Sequence, residues 1–180
     1  MDTNLIFGNI VYIVIALFFL KGALYMVKQK HAVIIERLGK FNKVSKAGLH
    51  FKIPFIDSIA GNVNLRVREL PVEVETKTKD DVFVRIVVSV QFFVIDAPVG
   101  IKDSFYELNN PEQQIQSYVF DSIRSEVPMM ELDDVFAEKE KIALAVKTEL
   151  SDTMRQFGFD FIKALVTDID GSIAILFKRK

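Results

Sequence analysis

The sequence predicts an α+β fold placed behind an N-terminal transmembrane helix, and three observations carry that prediction. An uncharged apolar run opens the 180-residue chain. Alternation with a period of two dominates the middle. Capped helical stripes come next, before a last alternating segment. Strands, then helices, then a strand point to an antiparallel sheet packed by helices rather than to a doubly wound sheet.

Residues 5–20 read LIFGNIVYIVIALFFL without a charge, and GALYMV resumes the apolar character after Lys21. A helix carrying Leu5, Ile6, Phe7, Ile10, Val11, Ile13, Val14, Ile15, Leu17, Phe18, Phe19, Leu20, Leu24 and Val27 would be about 35 Å long, enough to cross a hydrocarbon core of about 30 Å. Residues 1–27 are therefore predicted to be a membrane anchor. A cleaved signal peptide is disfavoured because the start carries Asp2 and no basic residue, and no A-x-A site follows. A core helix is disfavoured because the run is apolar on all sides. Lys21 lies near the end, where its long stem can reach the headgroups. Lys28, Lys30, His31 and Arg37 follow the run and no basic residue precedes it. The positive-inside rule then predicts a single-pass protein of the plasma or bacterial inner membrane, with its main domain in the cytoplasm.

The remaining chain is long enough for one domain or two small subdomains. Residues 28–170 are assigned to it, and 171–180 to a short tail. The whole chain has 23 basic against 24 acidic side chains. With no Arg-rich run, a nucleic-acid role is disfavoured. The absence of cysteine excludes disulfides, thiolate metal sites, cysteine nucleophiles and S-palmitoylation. Asp at position 2 excludes N-myristoylation.

Residues 31–37 (HAVIIER) predict a short strand leaving the membrane. Gly39, Gly48 and Pro54 punctuate the next stretch into turns and short strands. In residues 82–94 every even position is apolar: Val82, Val84, Ile86, Val88, Val90, Phe92 and Val94. Leu70, Val72 and Val74 alternate with Glu69, Glu73 and Glu75 just before. The two runs, split by TKTKDD at 76–81, predict a long antiparallel hairpin with one buried face. Asn110-Pro111-Glu112-Gln113 is a helix start, with Asn as cap, Pro at the first helical position and Gln able to reach back to the cap N–H. Ile115, Tyr118, Val119 and Ile123 then form a stripe that ends near Pro128. A second helix is predicted from Leu132-Asp133-Asp134, with Val135, Ile142, Val146, Leu150 and Phe157 on one face. It would run about six turns to Gly158 as the C′ residue. Residues 159–169 predict a closing strand.

Specific stretches resemble the stomatin/prohibitin/flotillin superfamily, known as SPFH or Band 7. Glu36-Arg37-Leu38-Gly39-Lys40-Phe41, then Gly48-Leu49-His50-Phe51 and Pro54-Phe55, resemble its opening strands and loop. Arg66-Val67-Arg68-Glu69-Leu70 and residues 76–84 (TKTKDDVFV) resemble its central hairpin. Residues 113–127 (QQIQSYVFDSIRSEV), with Leu132-Asp133-Asp134-Val135-Phe136, are similar to plant hypersensitive-induced reaction proteins and their stomatin-like relatives. Val166-Thr167-Asp168-Ile169 sits where the family closes its domain. The resemblance implies a membrane scaffold that forms homo-oligomers, or hetero-oligomers with longer SPFH proteins. It also implies organisation of lipid microdomains and regulation of a membrane client such as a protease or channel. The family pattern continues past Ile169 into a Pro-containing segment and a long Ala/Glu-rich helix. Here GSIAILFKRK takes its place, so a divergent tail and reduced ring assembly are expected.

Candidate chemistry is sparse. His31 and His50 lack the further ligands that a metal site requires. No G-x-S-x-G, H-E-x-x-H or P-loop pattern occurs, and no cofactor is predicted. Asp168 and Asp170 share one side of a strand and read as a solvated strand end rather than a paired-carboxylate site. The charges Glu138, Lys139, Glu140, Lys141, Lys147, Glu149 and Asp152 read as a solvated helix face, or as groups that set the register between subunits. In the loop LHFKIPFIDSI (49–59), Phe51, Ile53, Phe55 and Ile56 crowd around Pro54. They either dip into the bilayer interface or cap the small β core, and capping is favoured because such residues are usually buried. The functional expectation is a non-enzymatic scaffold on a lipid bilayer. The alternative is a membrane-tethered hydrolase or its dedicated subunit.

Overall fold

The structure, a computed structural model, describes residue 12 and residues 21–171. The predicted anchor positions 5–20, Tyr12 apart, and the tail after Gly171 lie outside the described residues. Among the described residues no helix is long and apolar enough to cross a membrane. The chain divides between Leu65 and Arg66 into two compact units.

In the first unit, residues 21–23 are helical and pass without a linker into β1 (Leu24–Val27). This corrects the predicted anchor boundary: Leu24 and Val27 are strand residues, not helix positions. β1 pairs antiparallel with β4 (Gly48–Phe51), Leu24 opposite Phe51 and Val27 opposite Gly48. Val27, only 4% exposed, packs with Val33 and Ile35 under Tyr25. An apolar tetrapeptide satisfies a small β core as readily as a helix end, so composition alone could not separate the two. The predicted strand at 31–37 is β2 (His31–Arg37), central between β3 (Lys40–Ser45) and β5 (Asp57–Asn64). The Tyr25 and Ser45 hydroxyls hydrogen-bond at 2.5 Å and tie the two small sheets together.

The second unit is the predicted hairpin with its closing strand. β6 (Arg68–Lys77) pairs with the central β7 (Phe83–Val94), and β8 (Phe159–Asp170) flanks β7 on the other side. All three run antiparallel to their neighbours. Val84, Ile86, Val88, Val90, Phe92 and Val94 are all buried, as the alternation requires. Phe92 lies between Phe159 and Phe161, with ring centroids 6.2 and 6.0 Å away. The Arg68 guanidinium sits 4.7 Å from its ring centre.

The helices cover this buried face. A helix not foreseen, α1 (Pro98–Tyr106), starts on a proline and buries Gly100, Ile101 and Ser104. α2 (Pro111–Glu126) has the predicted cap: the Asn110 side chain accepts from the Gln113 N–H at 3.2 Å. The Gln113 side chain meets the Asn110 amide rather than its backbone N–H, at 3.4 Å. The predicted six-turn helix is broken. α3 (Leu132–Ala137) ends at Glu138, whose φ of −104° and ψ of 25° depart from the helix, and α4 (Lys139–Met154) follows. Val135, Ile142, Val146 and Leu150 are buried as expected, and Met154 takes the last core position instead of the half-buried Phe157. A turn of 3-10 helix then leads to Gly158 at φ 81°. The start of α3 is supported from the β6–β7 loop, where an Asp80 oxygen accepts from the Leu132 N–H at 3.2 Å.

Candidate functional site

The first unit carries a loop whose polarity is inverted. Between β4 and β5, Asp57 is the buried residue and the apolar side chains point outward. Its carboxylate accepts from Arg37 Nε at 2.8 Å, from Arg37 Nη2 at 3.3 Å and from the Ile53 backbone N–H at 2.9 Å. The Asp57 side chain is 2% exposed. The Asp57 N–H returns a bond to the Ile53 carbonyl at 2.9 Å, and the Leu38 N–H donates to the Ile56 carbonyl at 3.2 Å. Hydrogen bonding to Arg37 above all, then to Ile53, holds the Asp57 carboxyl below the usual carboxylate range, against the opposing effect of burial. The Ile53 and Asp57 N–H groups are thereby satisfied inside the loop.

Phe51, Ile53, Phe55 and Ile56 are 62, 46, 83 and 42% exposed. The capping role favoured from sequence is therefore corrected: Asp57 and Arg37 close the loop, and these four side chains face outward. Phe55 holds a φ of 68°, a conformation that costs a bulky L-residue about 1–2 kcal/mol. Beside it, Arg37 and Lys40 flank the two-residue turn Leu38-Gly39 of the β2–β3 hairpin. Both turn residues have positive φ, 50° and 78°, the pattern of a type I′ turn that normally selects Asn-Gly. Leu38 stands there instead, 80% exposed. Met26 and Leu49, opposite one another on the β1–β4 ribbon, add two further exposed apolar side chains.

This apolar tip adjoins the place where the N-terminal run enters the unit. The Lys52 N–H donates to the Ala23 carbonyl at 2.8 Å. A Cβ on Gly22 would lie 3.7 Å from Pro54. Sequence reasoning singled out the four loop residues but passed over the Arg37–Asp57 clasp and Leu38. The visible signal for the latter was a leucine where a tight hairpin turn calls for asparagine.

The remaining candidates have local roles. His31 bonds Asn62 at 3.1 Å, and His50 bonds the Lys46 carbonyl at 2.6 Å while stacking on Tyr25. Among the described residues no group of three or more His, Asp or Glu could hold a metal ion. Asp170 pairs with Arg85 at 3.4 Å, and Arg85 also pairs with Glu73 at 3.1 Å. Asp168 lies opposite Val87 in the β7–β8 register and is exposed. Of the helix charges, Lys141 pairs with Glu138 at 2.8 Å. Lys139, Glu140 and Lys147 line a shallow groove beside the outer edge of β8.

A family model described as SPFH domain / Band 7 family matches residues 25–175 and so begins inside β1. The chain is 42% identical over 144 residues to hypersensitive-induced response protein 4 of Arabidopsis thaliana, covering 79% of the chain and 49% of that protein. It is 29% identical over 146 residues to a stomatin-like protein of Caenorhabditis elegans, covering 79% and 43%. It is 28% identical over 169 residues to a stomatin homolog of Pyrococcus horikoshii, covering 93% and 61%. The chain thus spans roughly half the length of these relatives.

Proposed function

Because this chain belongs to the SPFH domain / Band 7 family, we propose that it is a non-enzymatic scaffold at a membrane surface. Its N-terminal run would serve as anchor, and the first unit would rest its apolar tip in the headgroup region. The subunits would self-associate, or assemble with longer relatives, and hold a membrane client. One observation carries the reading: an apolar loop kept outward by a buried acid, beside the entry point of an apolar run. Interfacial binding strength scales with the apolar area that enters the boundary. Confinement to a surface raises the effective concentration of subunits for weak contacts.

Flotation of the full chain with lipid vesicles tests it. The chain should rise with the vesicles, and gentle detergent extraction should release a species heavier than one subunit. A chain that stays at the bottom of the gradient, or that runs as a monomer at every concentration, rejects the proposal.

A further inference from the structure

The first unit is strongly basic. Residues 21–65 hold eight Lys and Arg against two acids, Glu36 and Asp57. Residues 66–180 hold fifteen against twenty-one. The near-neutral total conceals this split, which only the boundary between the units makes visible.

The basic side chains have a definite placement. Lys40 closes the Leu38-Gly39 turn, opposite Arg37. Lys43 donates to the Phe51 carbonyl at 3.1 Å, so its ammonium stands at the root of the apolar loop. Lys52 lies within that loop, and Lys21 precedes Gly22, the neighbour of Pro54. Of the two acids, Asp57 is buried against Arg37. Lys21, Lys40, Lys43 and Lys52 therefore lie on the segments that adjoin the loop of Ile53, Phe55 and Ile56, and the other acid, Glu36, precedes Arg37 on β2.

We propose that this tip selects an anionic lipid surface. Ile53, Phe55 and Ile56 enter the boundary between headgroups and acyl chains, and Lys21, Lys40, Lys43 and Lys52 meet acidic headgroups. The inference rests on the membrane reading above and adds the headgroup chemistry to it. Charge complementarity supplies the selectivity, since each lysine near an anionic leaflet contributes about 1 kcal/mol, or about fivefold in binding. An acidic protein face could attract the same lysines. The exposed apolar loop beside these lysines favours lipid, because a bilayer offers anionic groups directly above hydrocarbon.

The chain contains no tryptophan, so Phe55→Trp in the full-length protein gives a single reporter. The variant is reconstituted in phosphatidylcholine vesicles, with and without phosphatidylglycerol, using lipids brominated in the acyl chain. Indole emission should shift to the blue and be quenched in the acidic vesicles, and both effects should weaken with added salt. Combining Lys40→Glu, Lys43→Glu and Lys52→Glu should return quenching to the neutral-vesicle level. The matching Lys→Gln set should do so in part, guarding against a folding defect. Equal quenching in neutral and acidic vesicles overturns the headgroup selectivity and leaves the membrane reading intact. Co-flotation without quenching in either vesicle overturns the tip docking. Unchanged quenching in the Lys→Glu variant, with a smaller assembly in detergent, overturns it in favour of an acidic face on another copy.

Discussion

Asp57 shows how one side chain sets the character of a surface. Its carboxyl accepts from Arg37 and from the Ile53 N–H within the loop, and it titrates lower in the folded chain than in the unfolded one. As pH falls, the unfolded chain therefore takes up the proton first. The contribution of the clasp is complete above about pH 4 and drains away below it. Limited chymotrypsin digestion checks this at neutral pH: Asp57→Asn should hasten cleavage after Phe55 while the second unit stays resistant. Gly158 is a second decisive residue. It was legible as a helix terminator, but its neighbour was not. A Cβ there would stand 2.0 Å from the Gly100 carbonyl oxygen, at a φ of +81°. Gly158→Ala should destabilise the chain by about 3 kcal/mol, combining left-handed strain with overpacking. The midpoint of urea denaturation would record it.

At the scale of elements, legibility followed burial pattern. β7 was readable because one face is wholly apolar and the other mixed. α2 was readable because its cap and stripe agree, and Asn110→Ala should cost about 1 kcal/mol in thermal or chemical unfolding. α1 went unread because its buried set is Gly100, Ile101 and Ser104, too small and polar to form a stripe. The break at Glu138 was invisible because Ala137 and Lys139 on either side favour helix. β1 was absorbed into the preceding apolar run, since four apolar residues carry no period of their own. The central strand concentrates the stability of the second unit. Phe92→Ala, which removes the ring shared by Arg68, Phe159 and Phe161, should cost about 3–5 kcal/mol. Loss of a cooperative unfolding transition by near-ultraviolet dichroism or fluorescence would be the extreme form of that outcome.

For the whole molecule, the family and the α+β class were legible from the order of motifs, whereas the outward loop was not. Sequence reading assigns apolar side chains to the interior by default, and at Phe51, Ile53, Phe55 and Ile56 that default fails. Buried charge and exposed hydrocarbon exchanged places there because a clasp already closed the backbone. Phe55→Asp in the full chain should loosen the tip on vesicles, read as faster hydrogen exchange in residues 52–57, with little change in stability off them.

The direct passage from helical residues 21–23 into β1 makes the entry to the first unit a bracket rather than a rope. The hydrogen bond from the Lys52 N–H to the Ala23 carbonyl ties that corner to the loop. A rotation of residues 21–23 would therefore carry Lys52 and its loop with it. On the membrane reading proposed above, three glycines inserted after Ala23 would uncouple the unit from the segment before it, and polarised infrared spectra of oriented bilayers should then show its strands losing a preferred angle.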